Sequence, residues 1–277
     1  NLFGTERILT MQLFRSILSR RMLALILCAV LIYVNAFTSV KVFAKVCTNQ
    51  PAFRCTANKQ AEADQAHNND LAITAKAAVL IDNASGRILY AKNKDKKLIP
   101  ASITKIMTLL LIFESIEQGK CKLEDKVTVS EYAASMGGSQ VFLEPGETQD
   151  VNTMIKCISI ASANDAAVAM AEHLAGSEQS FVKRMNKKAK ALGMKHTHFK
   201  NCNGLDDSIE SGHYSSAYDV ALMSQSLVSK YPDISKYSTV WMDTITHITK
   251  KGKKKFGLTN TNKLIRTYQG ITGLKTG

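Results

Sequence analysis

The stretch from Pro100 to Lys105, directly followed by the apolar run Ile106–Phe113, constrains the fold of this chain more than any other. Pro100 predicts the end of a loop, and the length and apolarity of the run predict a helix that is buried on most sides. Ser102 then lies at the start of this helix. Because residues three apart on a helix are neighbours, Ser102 and Lys105 are predicted to place a hydroxyl and an amine on one face.

A hydroxyl and a buried amine at this spacing suit nucleophilic catalysis. A serine hydroxyl is a poor nucleophile until a base accepts its proton, and burial gives a lysine the neutral form that a base needs. The S-x-x-K pattern occurs twice. The second match, Ser180–Lys183, lies in a lysine-rich segment, which predicts a solvated amphipathic helix with a basic face. We therefore assign Ser102 as the candidate nucleophile and Lys105 as the candidate base.

The first 44 residues have the features of an export leader. Met11 is the expected start, three arginines follow it, and Met22–Val34 is nearly all apolar, with cleavage predicted after Ala44. An uncleaved membrane anchor is the alternative, although the apolar segment is shorter than the ~20 residues that span a bilayer. We expect a leader at 1–44, a polar linker at 45–72 and an exported catalytic domain at 73–277.

Charge and cysteine content exclude some classes of function. The formal net charge is +13, and part of it comes from the run Lys250–Lys255. This run predicts a solvated hairpin tip, with a patch for a membrane surface or an anionic wall polymer as the alternative. No nucleic-acid-binding motif accompanies it.

Among the six cysteines, Cys47 and Cys55 are candidates for a disulfide, and buried thiols are expected otherwise. No Cys/His spacing typical of a metal site occurs, so we expect neither metal nor cofactor.

The order of the predicted elements favours an α+β fold. Strands over 76–82 and 87–91, joined by a turn, predict a hairpin. A short strand near Lys126 follows the Ser102 helix. Four helical patterns come next, over 151–160, 165–174, 179–192 and 217–230, and strand character returns from Val240. We therefore expect the helices to form an insertion between parts of one sheet.

Two further motifs carry groups that complement a serine–lysine pair. Ser162-Ala163-Asn164 is the only S-x-N in the chain. A hydroxyl relays protons, and a carboxamide holds a substrate amide and orients a lysine, although Ser and Asn are also common helix N-caps. Lys275-Thr276-Gly277 offers an ammonium and a hydroxyl to a carboxylate, and its glycine allows the substrate to approach the backbone closely.

With S-x-x-K, S-x-N and K-T-G in this order, residues 72–277 resemble the low-molecular-weight penicillin-binding proteins, the serine D-alanyl-D-alanine carboxypeptidases. The likeness extends to further segments of the chain. These are 78–82 with Gly86, 100–102, 142–147, 203–206 and 213–219.

The resemblance implies a β-lactamase/transpeptidase-like α+β fold, in which an antiparallel sheet is flanked by helices with an inserted helical subdomain. It implies that the substrate is a peptidoglycan pentapeptide ending in D-Ala-D-Ala and that β-lactams acylate the same serine. Ser102 would be the nucleophile, with its N–H in the oxyanion hole. Lys105 would be the base and Ser162 a proton relay. The implied substrate-binding residues are Asn164, Lys275, Thr276 and Gly277. The enzyme would act at the outer face of the cytoplasmic membrane, on the cell wall.

In that family the K-T-G segment begins a strand of the sheet, and further strands follow it. We therefore expect that C-terminal strands are missing from this chain, which is truncated at its K-T-G motif, and that residues 1–277 alone are inactive.

Three other functions are compatible with parts of the pattern. A serine β-lactamase is the nearest, but the E-x-x-L-N pattern of class A enzymes does not occur between Asn164 and Lys275. A non-catalytic wall-binding or sensor domain is the second, and the intact set of motif residues argues against it. Transpeptidase or endopeptidase activity on the same acyl-enzyme stays open.

Overall fold

The computed structural model describes residues 71–205, 211–250 and 252–277. The predicted leader, nearly all of the linker and the Cys47–Cys55 pair lie outside these residues. The described part opens with the predicted hairpin, formed by β1 (Ala78–Ile81) and β2 (Ile88–Lys92). Gly86 has a φ of 71° in the connecting turn, a conformation that favours glycine.

Helices are the main secondary structure of the described residues, and all but the last of them lie between this hairpin and the C-terminal strands. They are α1 (Lys105–Glu117), α2 (Glu131–Ala134), α3 (Val151–Ile160), α4 (Asn164–Ala175), α5 (Glu178–Ala191), α6 (Ala217–Lys230), α7 (Ser235–Ser238) and α8 (Leu264–Thr267). A 3₁₀ turn, Ala101–Thr104, leads directly into α1. Ser102 therefore sits one turn before the α-helix, close to the predicted position.

Helix α1 is the centre of the hydrophobic core. All residues from Ile106 to Phe113 are buried, and the helix contacts α3, α4, α5 and α6. Burial on every side explains why this segment is almost continuously apolar instead of amphipathic. The side chain of Lys105, the first residue of this helix, is also buried.

Side-chain caps explain why the predicted helix boundaries agree with the structure. Asp150, Ser177 and Ser216 accept hydrogen bonds from backbone N–H groups in the first turns of α3, α5 and α6, respectively. Helix α5 is also amphipathic as predicted. It buries Phe181, Met185 and Ala189 and exposes Lys183, so the second S-x-x-K match has its lysine in solvent.

The strands of the described residues form three separate two-stranded antiparallel sheets. β3 (Lys126–Thr128) pairs with β4 (Thr148–Asp150), and β5 (Met242–Thr249) pairs with β6 (Gly252–Thr259). The α+β class is confirmed, but the terminal strands do not join β1 and β2 in one sheet as we expected. They lie on the helical part instead. The buried His247 of β5 contacts the Glu147 carboxylate at 2.9 Å, and Gln149 donates to the Thr246 carbonyl of β5.

The Lys250–Lys255 run lies at the end of the β5–β6 hairpin, as predicted, and its described lysines on β6 are exposed. None of the helices among the described residues has the length and apolarity needed to cross a bilayer.

Candidate active site

The hydroxyl of Ser102 and the amine of Lys105 lie next to each other at the start of α1. Lys105 Nζ is 3.1 Å from Ser102 Oγ. The turn that carries Ser102 is strained locally, since Ala101 has a φ of 46°. The predicted pairing of these two side chains on one face is therefore what the structure has.

Lys105 is fully buried, and all three of its ammonium protons have an acceptor. Besides Ser102, Nζ donates to Asn164 Oδ1 and to the backbone carbonyl of Asn203, both at 2.6 Å. Burial, reinforced by the positive charge of Lys275, lowers the pKa of Lys105 to about 7. The amine is thus a base that is neutral in a substantial fraction of molecules at neutral pH.

Asn164 is the first residue of α4, and its side chain connects the helix to the site. Its Oδ1 accepts from Lys105, and its Nδ2 donates to the Gly137 carbonyl at 2.8 Å. The alternative role as a helix cap is wrong, because the N-cap position belongs to Ala163 and no side chain caps this helix. The Asn164 carboxamide therefore links the Lys105 amine to the backbone at Gly137.

Ser162 lies two residues before α4, in the left-handed region with a φ of 60°. Its side chain is buried, and its hydroxyl makes no hydrogen bond within the part of the chain that the structure describes. A buried hydroxyl without a partner costs free energy. A strained backbone and an unsatisfied hydroxyl at one residue are typical of functional positions.

Asp165 fixes the loop that faces Asn164. Its carboxylate, fully buried, accepts from the N–H groups of Val141 and Leu143 at 3.1 Å. Burial raises the pKa of Asp165, and these backbone donors oppose the rise. The loop from Gly137 to Leu143 is thereby held against α4, and Gly138 leaves room for the Asn164 amide. Sequence reasoning missed this role of Asp165.

The K-T-G segment lies against the turn that bears Ser102. Gly277 is adjacent to Ile103 and to the Pro100 carbonyl, and Lys275 is close enough to Lys105 to depress its pKa. Burial lowers the pKa of Lys275 to about 8, so it is charged at neutral pH but not far above it. Thr276 Oγ1 bonds to Thr261 Oγ1 at 2.7 Å. The segment has no assigned secondary structure and pairs with no described strand, whereas we expected it to be a strand.

Comparison with known proteins shows the family of the chain. Residues 60–277 match the sequence profile of the family described as Peptidase S11, D-alanyl-D-alanine carboxypeptidase. The chain belongs to this family. It is 54% identical over 217 residues to the D-alanyl-D-alanine carboxypeptidase DacF of Bacillus subtilis, an alignment that covers 78% of this chain and 54% of DacF. It is 42% identical over 167 residues to DacA of Escherichia coli K12, which covers 58% of this chain and 41% of DacA.

Two solved structures also resemble it. Penicillin-binding protein 3 of Streptococcus pneumoniae has a TM-score of 0.66 at 31% identity, covering 74% of this chain and 60% of that one. A point mutant of the Streptomyces K15 DD-transpeptidase has a TM-score of 0.66 at 28% identity, covering 74% and 81%. The chain spans about half the length of the curated S11 relatives it matches.

The S11 site contains one backbone contribution that sequence reasoning did not identify. The Asn203 carbonyl binds Lys105, and Gly204 follows it with a φ of 83°. A Cβ on Gly204 would lie 1.8 Å from the Ala101 carbonyl oxygen, so only glycine fits here. The Asn-Gly dipeptide is a turn signal, but it does not reveal that the turn presents a carbonyl to the lysine.

Proposed function

We propose that this protein is a serine D-Ala-D-Ala carboxypeptidase that acts on peptidoglycan stem peptides through an acyl-enzyme. The observation that carries the proposal is the buried Lys105 amine, with a pKa lowered to about 7, at 3.1 Å from Ser102 Oγ. Family membership and the relative named DacF support the same substrate class.

In the proposed mechanism, Ser102 Oγ attacks the carbonyl carbon of the penultimate D-Ala while neutral Lys105 accepts the hydroxyl proton. The tetrahedral intermediate collapses when its C–N bond breaks, and the leaving D-alanine amine receives a proton through Ser162. The Ser102 N–H is one oxyanion donor. Water then attacks the ester, which releases the shortened peptide and returns the proton to Ser102.

Substrate binding in this proposal uses the polar groups around the serine. Lys275 and Thr276 bind the terminal carboxylate, Asn164 holds a substrate amide, and Gly277 allows the peptide backbone to approach closely. A β-lactam presents a carboxylate and a reactive amide in a comparable arrangement, so it acylates Ser102. The enzyme is exported by its leader and works on the cell wall outside the cytoplasmic membrane. The exposed lysines of β6 suit an anionic wall polymer or membrane surface.

The test is covalent labelling of the intact protein with a fluorescent penicillin. Ser102→Ala removes one oxygen from a half-buried position and is expected to abolish labelling while leaving the circular dichroism spectrum unchanged. Ser180→Ala is the matched control, because it changes the other S-x-x-K serine, and it should label like the wild type. Labelling that survives in Ser102→Ala, or release of D-alanine from a pentapeptide by that variant, would contradict the proposal.

A further inference from the structure

Three side chains with metal-binding atoms converge at the end of the core opposite to Ser102. Cys121 and Asp125 lie in the turn that follows α1, and His173 lies in the last turn of α4. Their ligand atoms are all within 4.8 Å of one another. We propose that Cys121, Asp125 and His173 form a binding site for a divalent transition-metal ion, with Zn²⁺ as the best fit. This proposal is independent of the function proposed above.

The turn that bears two of the ligands is already held in place. The Lys122 N–H donates to Asp125 Oδ2 at 2.8 Å, and the Asp125 N–H donates to the Lys122 carbonyl at 3.2 Å. Two N–H groups at the start of α3, from Val151 and Asn152, donate to carbonyls of the same turn. Asp125 therefore has one oxygen fixed by the backbone, and its second oxygen is available for a cation.

The other two ligands are not engaged by strong partners. His173 makes no hydrogen bond or ion pair among the described residues, and its ring is exposed. The Cys121 thiol is buried, and its contact with the Lys122 carbonyl is a weak one at 3.6 Å. The exposed His173 face gives a cation access from solvent, while the buried sulfur closes the other side.

The chemistry of the three groups selects the metal. A thiolate, an imidazole and a carboxylate together suit Zn²⁺, whose bonds to them are about 2.0 to 2.3 Å long. Ligand atoms around a tetrahedral ion of that size are roughly 3.5 Å apart, so the three ligand atoms have to approach one another by about an ångström on binding. The exposed His173 side chain has room to rotate toward the ion. Water fills the fourth position, and binding releases the Cys121 proton to solvent.

The position of the site indicates what the ion does. Helix α1 begins beside Ser102 and Lys105 and ends just before Cys121, while α4 begins at Asn164 and ends just after His173. An ion bound to Cys121, Asp125 and His173 would link the far ends of the two helices whose N-termini carry the site. It would stabilise the folded protein without touching the substrate.

The experiment uses Co²⁺ as a spectroscopic probe and Zn²⁺ as a stabilising ligand, with the intact protein. Co²⁺ should bind in one equivalent and give a sulfur-to-cobalt charge-transfer band, which Zn²⁺ removes by competition. Cys121→Ser and His173→Ala should each lose the band, and Asp125→Asn, which keeps the cap on Lys122, should weaken Co²⁺ binding at least tenfold. Zn²⁺ should raise the midpoint of thermal unfolding of the wild type but not of His173→Ala.

The matched control is His196→Ala, which removes a partly exposed histidine outside this cluster and should keep both the band and the Zn²⁺ effect. Because His173 is exposed, its variant tests the site even if Cys121→Ser does not fold. A wild type without a charge-transfer band, or a band that persists in both His173→Ala and Cys121→Ser, overturns the proposal. The second result would assign the metal to other cysteines of the chain.

Discussion

Two lysines with lowered pKa values lie close together in the site, and they have opposite requirements. In the proposed mechanism, Lys105, with a pKa of about 7, acts as a base only when it is neutral. In the same mechanism, Lys275, with a pKa of about 8, binds a carboxylate well only when it is charged. Neutral Lys105 and charged Lys275 are therefore present together mainly between about pH 7 and about pH 8.

We therefore predict a bell-shaped pH dependence for acylation by penicillin. The rate should rise through about pH 7 as Lys105 loses its proton and fall above about pH 8 as Lys275 becomes neutral. Stopped-flow measurement of acylation between pH 5 and 10 checks this. Lys105→Arg should be inactive throughout, because a guanidinium keeps its proton. A rate that is constant over this range would refute the neutral-lysine mechanism.

At the level of elements, the Asn203-Gly204 turn and the 3₁₀ turn before α1 touch each other through their backbones. Gly204 can be compared with Gly119, which follows α1. Both have positive φ, but a Cβ on Gly119 would meet no atom within 4 Å, whereas one on Gly204 would overlap the Ala101 carbonyl. Alanine substitution at each of these two glycines therefore separates the free-energy cost of backbone strain from the cost of displacing the turn that bears Ser102.

We predict that Gly204→Ala destabilises the protein by about 2 to 5 kcal/mol, from strain plus overpacking, and reduces acylation at least tenfold. Gly119→Ala should cost about 1 to 2 kcal/mol, from strain alone, and leave acylation unchanged. Chemical unfolding and fluorescent penicillin labelling measure the two effects. Equal loss of acylation in both variants would mean that the Gly204 contact does not position the site.

Individual helices, strands and contacts show what can and cannot be predicted from the sequence. The helices α3 and α6 have the predicted bounds because Asp150 and Ser216 cap them and apolar periodicity runs between the caps. The short strand β4 was not predicted, because its three residues are all polar, whereas β3, of the same length, contains Val127. The pairing of Ser102 with Lys105 follows from local helix spacing. The contact between Lys105 and the Asn203 carbonyl cannot be predicted from the sequence, because every residue has a backbone carbonyl. Cys121 and His173 come together only through the packing of α1 and α4.

For the whole molecule, a fully buried amine in the core makes folding dependent on pH. The folded-state pKa of Lys105, about 7, lies below its ordinary value of 10.5. Between these values the unfolded chain binds a proton that the folded protein has released, so stability from this group rises with pH across that window. Below pH 7 both states are protonated, and the cost of burying the ammonium is fully present.

We predict that the free energy of unfolding rises between pH 7 and 9 by up to about 1.4 kcal/mol per pH unit from Lys105, with a contribution of the same sign from Lys275 above pH 8. Chemical unfolding at several pH values measures this slope. Lys105→Met should have a shallower slope, whatever its absolute stability. A slope that Lys105→Met leaves unchanged would show that Lys105 is not the group that releases the proton.

The three acceptors around Lys105 also decide which way its lone pair points. A neutral amine has two N–H bonds and one lone pair, so one of the three contacts must lose its hydrogen. Asn164 Oδ1 and the Asn203 carbonyl can only accept, and each keeps one N–H. The Ser102 hydroxyl alone is able to donate. Deprotonation of Lys105 therefore turns its lone pair toward the serine proton without any movement of the side chain, and the direction of proton transfer is built into the hydrogen-bond pattern.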